Sequence, residues 1–146
     1  MSENIVNTAT LKFKSIPENV SLARVVAASF GAQVDLTINE IEELKVAISE
    51  AVSNAIIHGY QNDPEKVVEL IITRYSDRLV FSVADWGIGI EDIQKALEPA
   101  YSTASDRMGL GFVFIQSFMD HLEIESEINK GTKVTMVKNL AVRQES

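Results

Sequence analysis

No cysteine occurs among the 146 residues, which excludes disulfides, thiolate zinc sites and a cysteine nucleophile. It also suits a reducing compartment such as the cytoplasm. Nowhere does an apolar run approach the ~18 residues of a membrane span, and residues 1–15 lack the apolar stretch of a secretory signal. Basic residues are in deficit: 13 Lys+Arg against 21 Asp+Glu give a formal net charge of −8. Coating a nucleic acid requires a basic face for the phosphates, so this balance argues against nucleic acid and for a basic protein partner or none. Proline and glycine are scarce, at three and seven, and there is no linker, repeat or low-complexity tract. Such a chain reads as one domain over residues 1–146, long enough to bury roughly 70% of its unfolded surface.

Hydrophobic periodicity supplies the elements. Alternation over Thr8–Ser15, with Leu11 and Phe13 apolar, predicts a half-buried strand. After Pro17, a helix is predicted from Glu18 to Gln33, with Leu22, Val25, Val26, Ser29 and Phe30 at helical spacing. Thr37 and Glu40 form a capping box that starts a second helix. It can run to His58, where Gly59 stops it, with Ile41, Leu44, Ile48, Val52, Ala55 and Ile56 as its core stripe. Val67–Arg74 and Leu79–Asp85 read as a hairpin about Ser76-Asp77. Glu91–Leu97 is at most a short helix, Glu98–Met108 a loop, and Leu110–Leu122 a helix. Strands at Leu122–Ile128 and Lys133–Lys138 flank the turn Asn129-Lys130-Gly131. The order β-α-α-β-β-α-β-β predicts an α+β two-layer sandwich, with helices segregated against a mainly antiparallel sheet.

Familiar nucleotide and nucleophile signatures are missing: there is no Walker A loop, Rossmann glycine fingerprint, kinase catalytic loop, nucleophile elbow or zinc-spaced histidine pair. Four short segments stand out instead. Glu50, Asn54 and His58, four residues apart, share one helix face. That face is either a solvated polar edge or a site in which Asn54 is a neutral oxygen ligand for Mg²⁺ and Glu50 a general base. Asp85-Trp86-Gly87-Ile88-Gly89 ends a strand, either as a turn and cap or as a carboxylate that accepts from an exocyclic amine. Its glycines would let a flat ring approach the backbone. Gly109-Leu110-Gly111 precedes a helix, where bare N–H groups suit an anion. Gly131-Thr132 alone is a hairpin turn.

The ordered set of Glu-x-x-x-Asn, Asp-x-Gly-x-Gly, Gly-x-Gly and Gly-Thr resembles the Bergerat-fold (GHKL) ATPases, the family of histidine kinases, gyrase-type and chaperone ATPases. The likeness runs from Leu11 to Leu140. Ser49-Glu-Ala-Val-Ser-Asn-Ala-Ile-Ile-His-Gly-Tyr60 and Ser21-Leu-Ala-Arg-Val25 are most similar to the family's small anti-sigma serine-protein kinases, the sporulation type before the general-stress type. This resemblance implies a mixed, mainly antiparallel sheet covered on one face by helices, with ATP and Mg²⁺ as ligands. Asn54 would bind the metal, Glu50 would be the catalytic base, and His58 would adjoin the nucleotide. Asp85 would read the adenine amine, supported by Gly87, Gly89 and Thr132. Gly109 and Gly111 would contact phosphates. A lid over 98–108 would contribute Thr103 to ATP and Arg107 to the γ-phosphate. Arg24 would hold the partners, namely a sigma factor and an anti-anti-sigma antagonist that is phosphorylated on serine. A homodimer through the first strand and first helix is implied, with no direct nucleic-acid or membrane contact. The chain departs from the family in a shorter lid, in Ser102-Thr103 where two threonines are usual, and in Trp86 where an acidic residue is usual. Two other readings are a non-catalytic ATP-dependent binding module, which has no need of Glu50, and the catalytic domain of a histidine kinase, whose dimerisation helix pair this chain lacks.

Overall fold

The computed structural model describes residues 4–97 and 110–141, with the backbone alone at 110 and 111. Five strands form one sheet in the order β1-β2-β3-β5-β4: β1 (Ile5–Lys14), β2 (Val67–Tyr75), β3 (Arg78–Asp85), β4 (His121–Glu127) and β5 (Gly131–Asn139). All four described pairings are antiparallel, so among the described residues the expected mixed, mainly antiparallel sheet is antiparallel throughout. Its α+β, two-layer character is as the periodicity predicts. The helices are α1 (Glu18–Ala32), α2 (Ile38–Asn54), the short α3 (Ile93–Ala96) and α4 (Leu110–Phe118). Val68, Leu70 and Ile72 on β2, Leu79, Phe81 and Val83 on β3, and Val134 and Met136 on β5 are buried with Leu44, Ile48 and Val52 of α2. Alternation by two in the strands and by three or four in the helix thus meets in one core.

Three elements differ from the periodicity reading. On α1 the buried residues are Ala23, Ala27, Phe30 and Gly31, while Leu22 and Val25 are exposed. Small residues let α1 lie close on α2: a methyl at Gly31 would come within 3.3 Å of Ile41 and 3.4 Å of Leu44. The predicted third long helix stops at Phe118, because β4 takes His121 and Leu122 into the sheet. The Asp120 N–H donates to the Val137 carbonyl at 2.8 Å, and the Asn139 N–H donates to the Asp120 carboxylate at 2.7 Å, which fixes that junction. Finally, α2 begins with the full Thr37–Glu40 capping box but does not stay α-helical to His58. Residues Ala55–Gly59 form a π turn, closed by Tyr60 N–H donating to the Ala55 carbonyl at 2.9 Å.

Candidate functional site

The C-terminal end of α2 and the ends of β3 and β5 enclose a pocket of about 430 Å³. Asn54, His58, Asp85, Gly89 and Thr132 all line it, although they come from a helix, a π turn, two strands and a loop. Around them are apolar walls that spacing did not reveal: Ala51, Val83, Ile88, Phe112, Ile128 and Val134. A largely apolar cleft with a few convergent polar groups is the form of a site for a flat organic ligand.

Asp85 lies at the end of β3 and is 6% exposed. Its carboxylate accepts the Gly87 N–H at 2.9 Å and also the Thr132 N–H. Burial outweighs these two bonds and raises its pKa from 3.8 to about 6. A carboxylate so placed remains ionised at neutral pH and has no cationic partner among the described residues, so a neutral donor such as an amine is the ligand group it suits.

Glycines are required where backbones converge on this carboxylate. A Cβ at Gly59 would lie 2.7 Å from the Asp85 carboxylate, and one at Gly87 would overlap the Gly59 carbonyl oxygen. The same carbonyl accepts the Ile88 N–H at 2.9 Å. Gly89 adopts φ +79°, a left-handed conformation that glycine takes without strain.

Thr132 belongs to a hydroxyl cluster that motif reading missed. Ser126 Oγ and Thr132 Oγ1 are 2.8 Å apart, Ser126 accepts the Ile90 N–H at 2.7 Å, and its hydroxyl lies 3.1 Å from the Gly131 carbonyl. Ser126 therefore ties the β4–β5 hairpin to the loop after β3. A serine in an alternating strand carries no local signal for this; only the cross-strand pairing with Thr132 exposes it.

Asn54 is held on the last turn of α2, with Nδ2 buried and without a hydrogen-bond partner. Half a turn about the Cβ–Cγ bond exchanges amide oxygen and nitrogen, so the same side chain can aim either atom into the pocket. An unpaired buried amide costs free energy unless a ligand completes it. Asn54 thus fits a neutral metal ligand. Among the described residues no group of three His, Cys, Asp or Glu could hold an ion by itself, so a divalent cation here would take its other oxygens from water and a bound ligand.

Glu50 sits one turn before Asn54, outside the pocket lining, and burial raises its pKa above 4.5. Gly87 likewise backs the pocket without lining it. Trp86 points away: it is 60% exposed and borders an open groove on the sheet face that the helices do not cover, together with Lys130 and Lys133. Arg24 lies on α1, away from the pocket, with its Nε buried and unpartnered. Gly111 falls in the first turn of α4. Thr103, Arg107, Gly109 and the rest of the 98–109 stretch lie outside the described residues. No lysine or arginine is among the described lining residues.

With this geometry in place, comparison with known proteins is direct. The model of a family described as the histidine kinase-like ATPase domain matches residues 13–138. The chain is 48% identical to the anti-sigma F factor of Clostridium acetobutylicum over 138 residues, 93% of this chain and 96% of that protein. Over 137 residues it is 44% identical to the anti-sigma F factor of Geobacillus kaustophilus, covering 92% and 94%. Among solved structures, the RsbU and RsbW domains of a Mycobacterium tuberculosis protein superpose with a TM-score of 0.64 at 16% identity. That match covers 97% of this chain and 35% of that one. A histidine kinase domain from Erythrobacter litoralis gives a TM-score of 0.55 at 22% identity, covering 73% and 48%. These two likenesses show the fold alone.

Proposed function

The chain belongs to the histidine kinase-like ATPase domain family, and from that membership and its pocket we propose an anti-sigma factor that is also an ATP-dependent protein-serine kinase. On this reading it binds and inhibits a sigma factor. With Mg-ATP it phosphorylates a serine of an anti-anti-sigma antagonist. The observation that carries the nucleotide half is Asp85, a buried carboxylate at the base of an apolar cleft, without a cationic partner among the described residues. Names of relatives carry the sigma-factor half, since anti-sigma F factors match over nearly their full lengths.

The adenine would lie between the apolar walls, its exocyclic amine donating to Asp85. Phosphates would extend past Asn54 toward the start of α4. Because the described lining offers no lysine or arginine, the triphosphate's charge would be met by Mg²⁺ on Asn54 and by Arg107 of the lid. The bound cation supplies charge neutralisation for the transferring phosphoryl group. Glu50, whose raised pKa increases its proton affinity, would take the proton of the antagonist's serine hydroxyl. The serine oxygen then bonds to the γ-phosphorus as the bridging bond to the β-phosphate breaks, and ADP leaves with that oxygen. Arg24, beside the exposed Leu22 and Val25 on α1, would belong to a partner-binding surface, with a homodimer formed through β1 and α1. A single domain then serves both ATP and proteins.

Glu50→Gln tests the chemistry. It should keep ATP bound and abolish phosphotransfer to the antagonist, whereas transfer at the parental rate would remove Glu50 as the base. Retention of ATP by the parent chain without any transferred label would favour a non-catalytic ATP-dependent module. A label stable to acid but lost in mild base would identify serine rather than histidine as the acceptor.

A further inference from the structure

Tyr60 is buried, and the roles assigned to Glu50, Asn54 and Asp85 make no use of it. Its hydroxyl donates to the Val67 carbonyl at 2.6 Å and accepts the Trp86 N–H at 2.8 Å. One phenol thus links the C-terminal end of the α2 segment to the first residue of β2 and to the residue that follows Asp85. Beside it, the Gly59 carbonyl accepts the Ile88 N–H at 2.9 Å. Two consecutive residues of the helix end therefore hold two N–H groups on either side of Gly87, whose own N–H is taken by Asp85.

The π turn makes this possible. In a continued α-helix the Tyr60 N–H would donate to Ile56, but here it reaches back five residues to Ala55, and Asn62 takes the Ile56 carbonyl at 2.8 Å. That extra residue in the turn alters the direction in which Gly59 and Tyr60 leave the helix. Gly59 is brought against the Asp85 carboxylate, where even a methyl would collide at 2.7 Å. Asn54 is the residue immediately before the turn. The distance from Asn54 to Asp85 is consequently set through this turn and its phenol.

We propose that Tyr60 is a positioning residue for adenine recognition, its hydroxyl fixing the Asp85–Ile88 segment in register with the Asn54 end of α2. This rests on the reading that Asp85 accepts from the adenine amine. Tyr60→Phe keeps the ring and removes both hydrogen bonds, leaving the Trp86 N–H free to drift and the carboxylate with it. Loss of a well-aligned bond to the amine is worth about tenfold in affinity.

The test compares ATP with purine riboside triphosphate, which lacks the exocyclic amine, by titration calorimetry with Mg²⁺ on the parent, Tyr60→Phe and Asp85→Asn chains. The parent should prefer ATP, Asp85→Asn should abolish that preference, and Tyr60→Phe should lower it by about tenfold with little change for the amine-free nucleotide. A merely structural tyrosine would weaken both nucleotides equally. A preference preserved in Tyr60→Phe overturns the inference alone; a parent with no preference overturns the Asp85 reading and this inference with it. Hydrogen exchange on the nucleotide-free parent gives a second measure that needs no variant. Slow exchange at Trp86, comparable to that of the β3 amides, is expected, and an unprotected Trp86 amide would overturn the proposal.

Discussion

Replacing Asp85 with Asn should stabilise the nucleotide-free chain while damaging nucleotide binding, and the gain should depend on pH. Burial raises this carboxyl from 3.8 to about 6. That difference amounts to about 3 kcal/mol of cost to the ionised form. Between pH 4 and pH 6, on the order of the two values, the folded chain holds a proton that the unfolded chain has released, so stability from this group falls as pH rises. Above that window the whole cost stands. Asn removes the charge but can present only one acceptor oxygen, so one of the N–H groups of Gly87 and Thr132 is left facing a donor, at a cost of about 1–2 kcal/mol. The net expectation is a variant about 1–2 kcal/mol more stable at pH 7.5, or roughly 2–8 °C in Tm, falling to near parity at pH 5, where about half the relief is gone. Urea unfolding of the two nucleotide-free chains at both pH values measures it. A variant less stable at pH 7.5, or a difference indifferent to pH, would refute the claim that Asp85 is a strained, ionised group kept for its ligand.

Asn54→Ala should weaken ATP binding in the presence of magnesium far more than in its absence, and an unchanged magnesium titration would deny the side chain a metal role. Gly87→Ala should cost about 2–4 kcal/mol in thermal or urea unfolding, because its Cβ would overlap the Gly59 carbonyl oxygen, a backbone atom that cannot swing aside. Wild-type stability in that variant would mean that the helix end and the strand end are not in firm contact. For Glu50, whose pKa is raised from 4.5 by burial, the acid limb of phosphotransfer by the parent chain should lie above that value, and any residual transfer by Glu50→Gln should lack it. A limb that persists at the same pH in a still-active variant belongs to another group.

Strands β2 and β3 and helix α2 were legible because each carries one clear signal: apolar, β-branched runs about a short turn in Val67–Arg74 and Leu79–Asp85, and the capping box with its stripe in α2. The α1 face was not, because alanines at 23 and 27 pack closest although larger residues set the apparent periodicity. Nor was the start of β4 legible, since Leu122 suits either a helix or a strand until it pairs with Met136 and His121 pairs with Val137. At the site, Asn54, His58, Asp85, Gly89 and Thr132 were visible as short motifs, and folding brings all five to one pocket. Tyr60 and Ser126 were invisible because their roles consist of hydrogen bonds across 26 and 36 residues of chain, to Trp86 and Ile90. Trp86, although next to Asp85 in sequence, borders a groove on the opposite side of the sheet because side chains alternate at the end of β3.

The composition acquires a different meaning beside the pocket. A chain of net charge −8 holds a buried carboxylate in the pocket proposed for ATP and no described lysine or arginine in its lining, so charge attraction from its described lining residues cannot be the source of affinity. An apolar cleft, an acceptor for an amine and an externally supplied cation can be. The dependence of the proposed function on both ATP and magnesium follows from that shortage of cationic side chains.

One measurement bears on the whole account: size-exclusion chromatography of the chain with its cognate sigma factor and antagonist, with Mg-ATP or without nucleotide, read together with phosphoserine on the antagonist. The account predicts that Mg-ATP produces a complex with the sigma factor, and that antagonist releases it as phosphoserine accumulates. Equal sigma-factor binding with and without nucleotide, together with no phosphoserine in a chain that binds ATP, would contradict it.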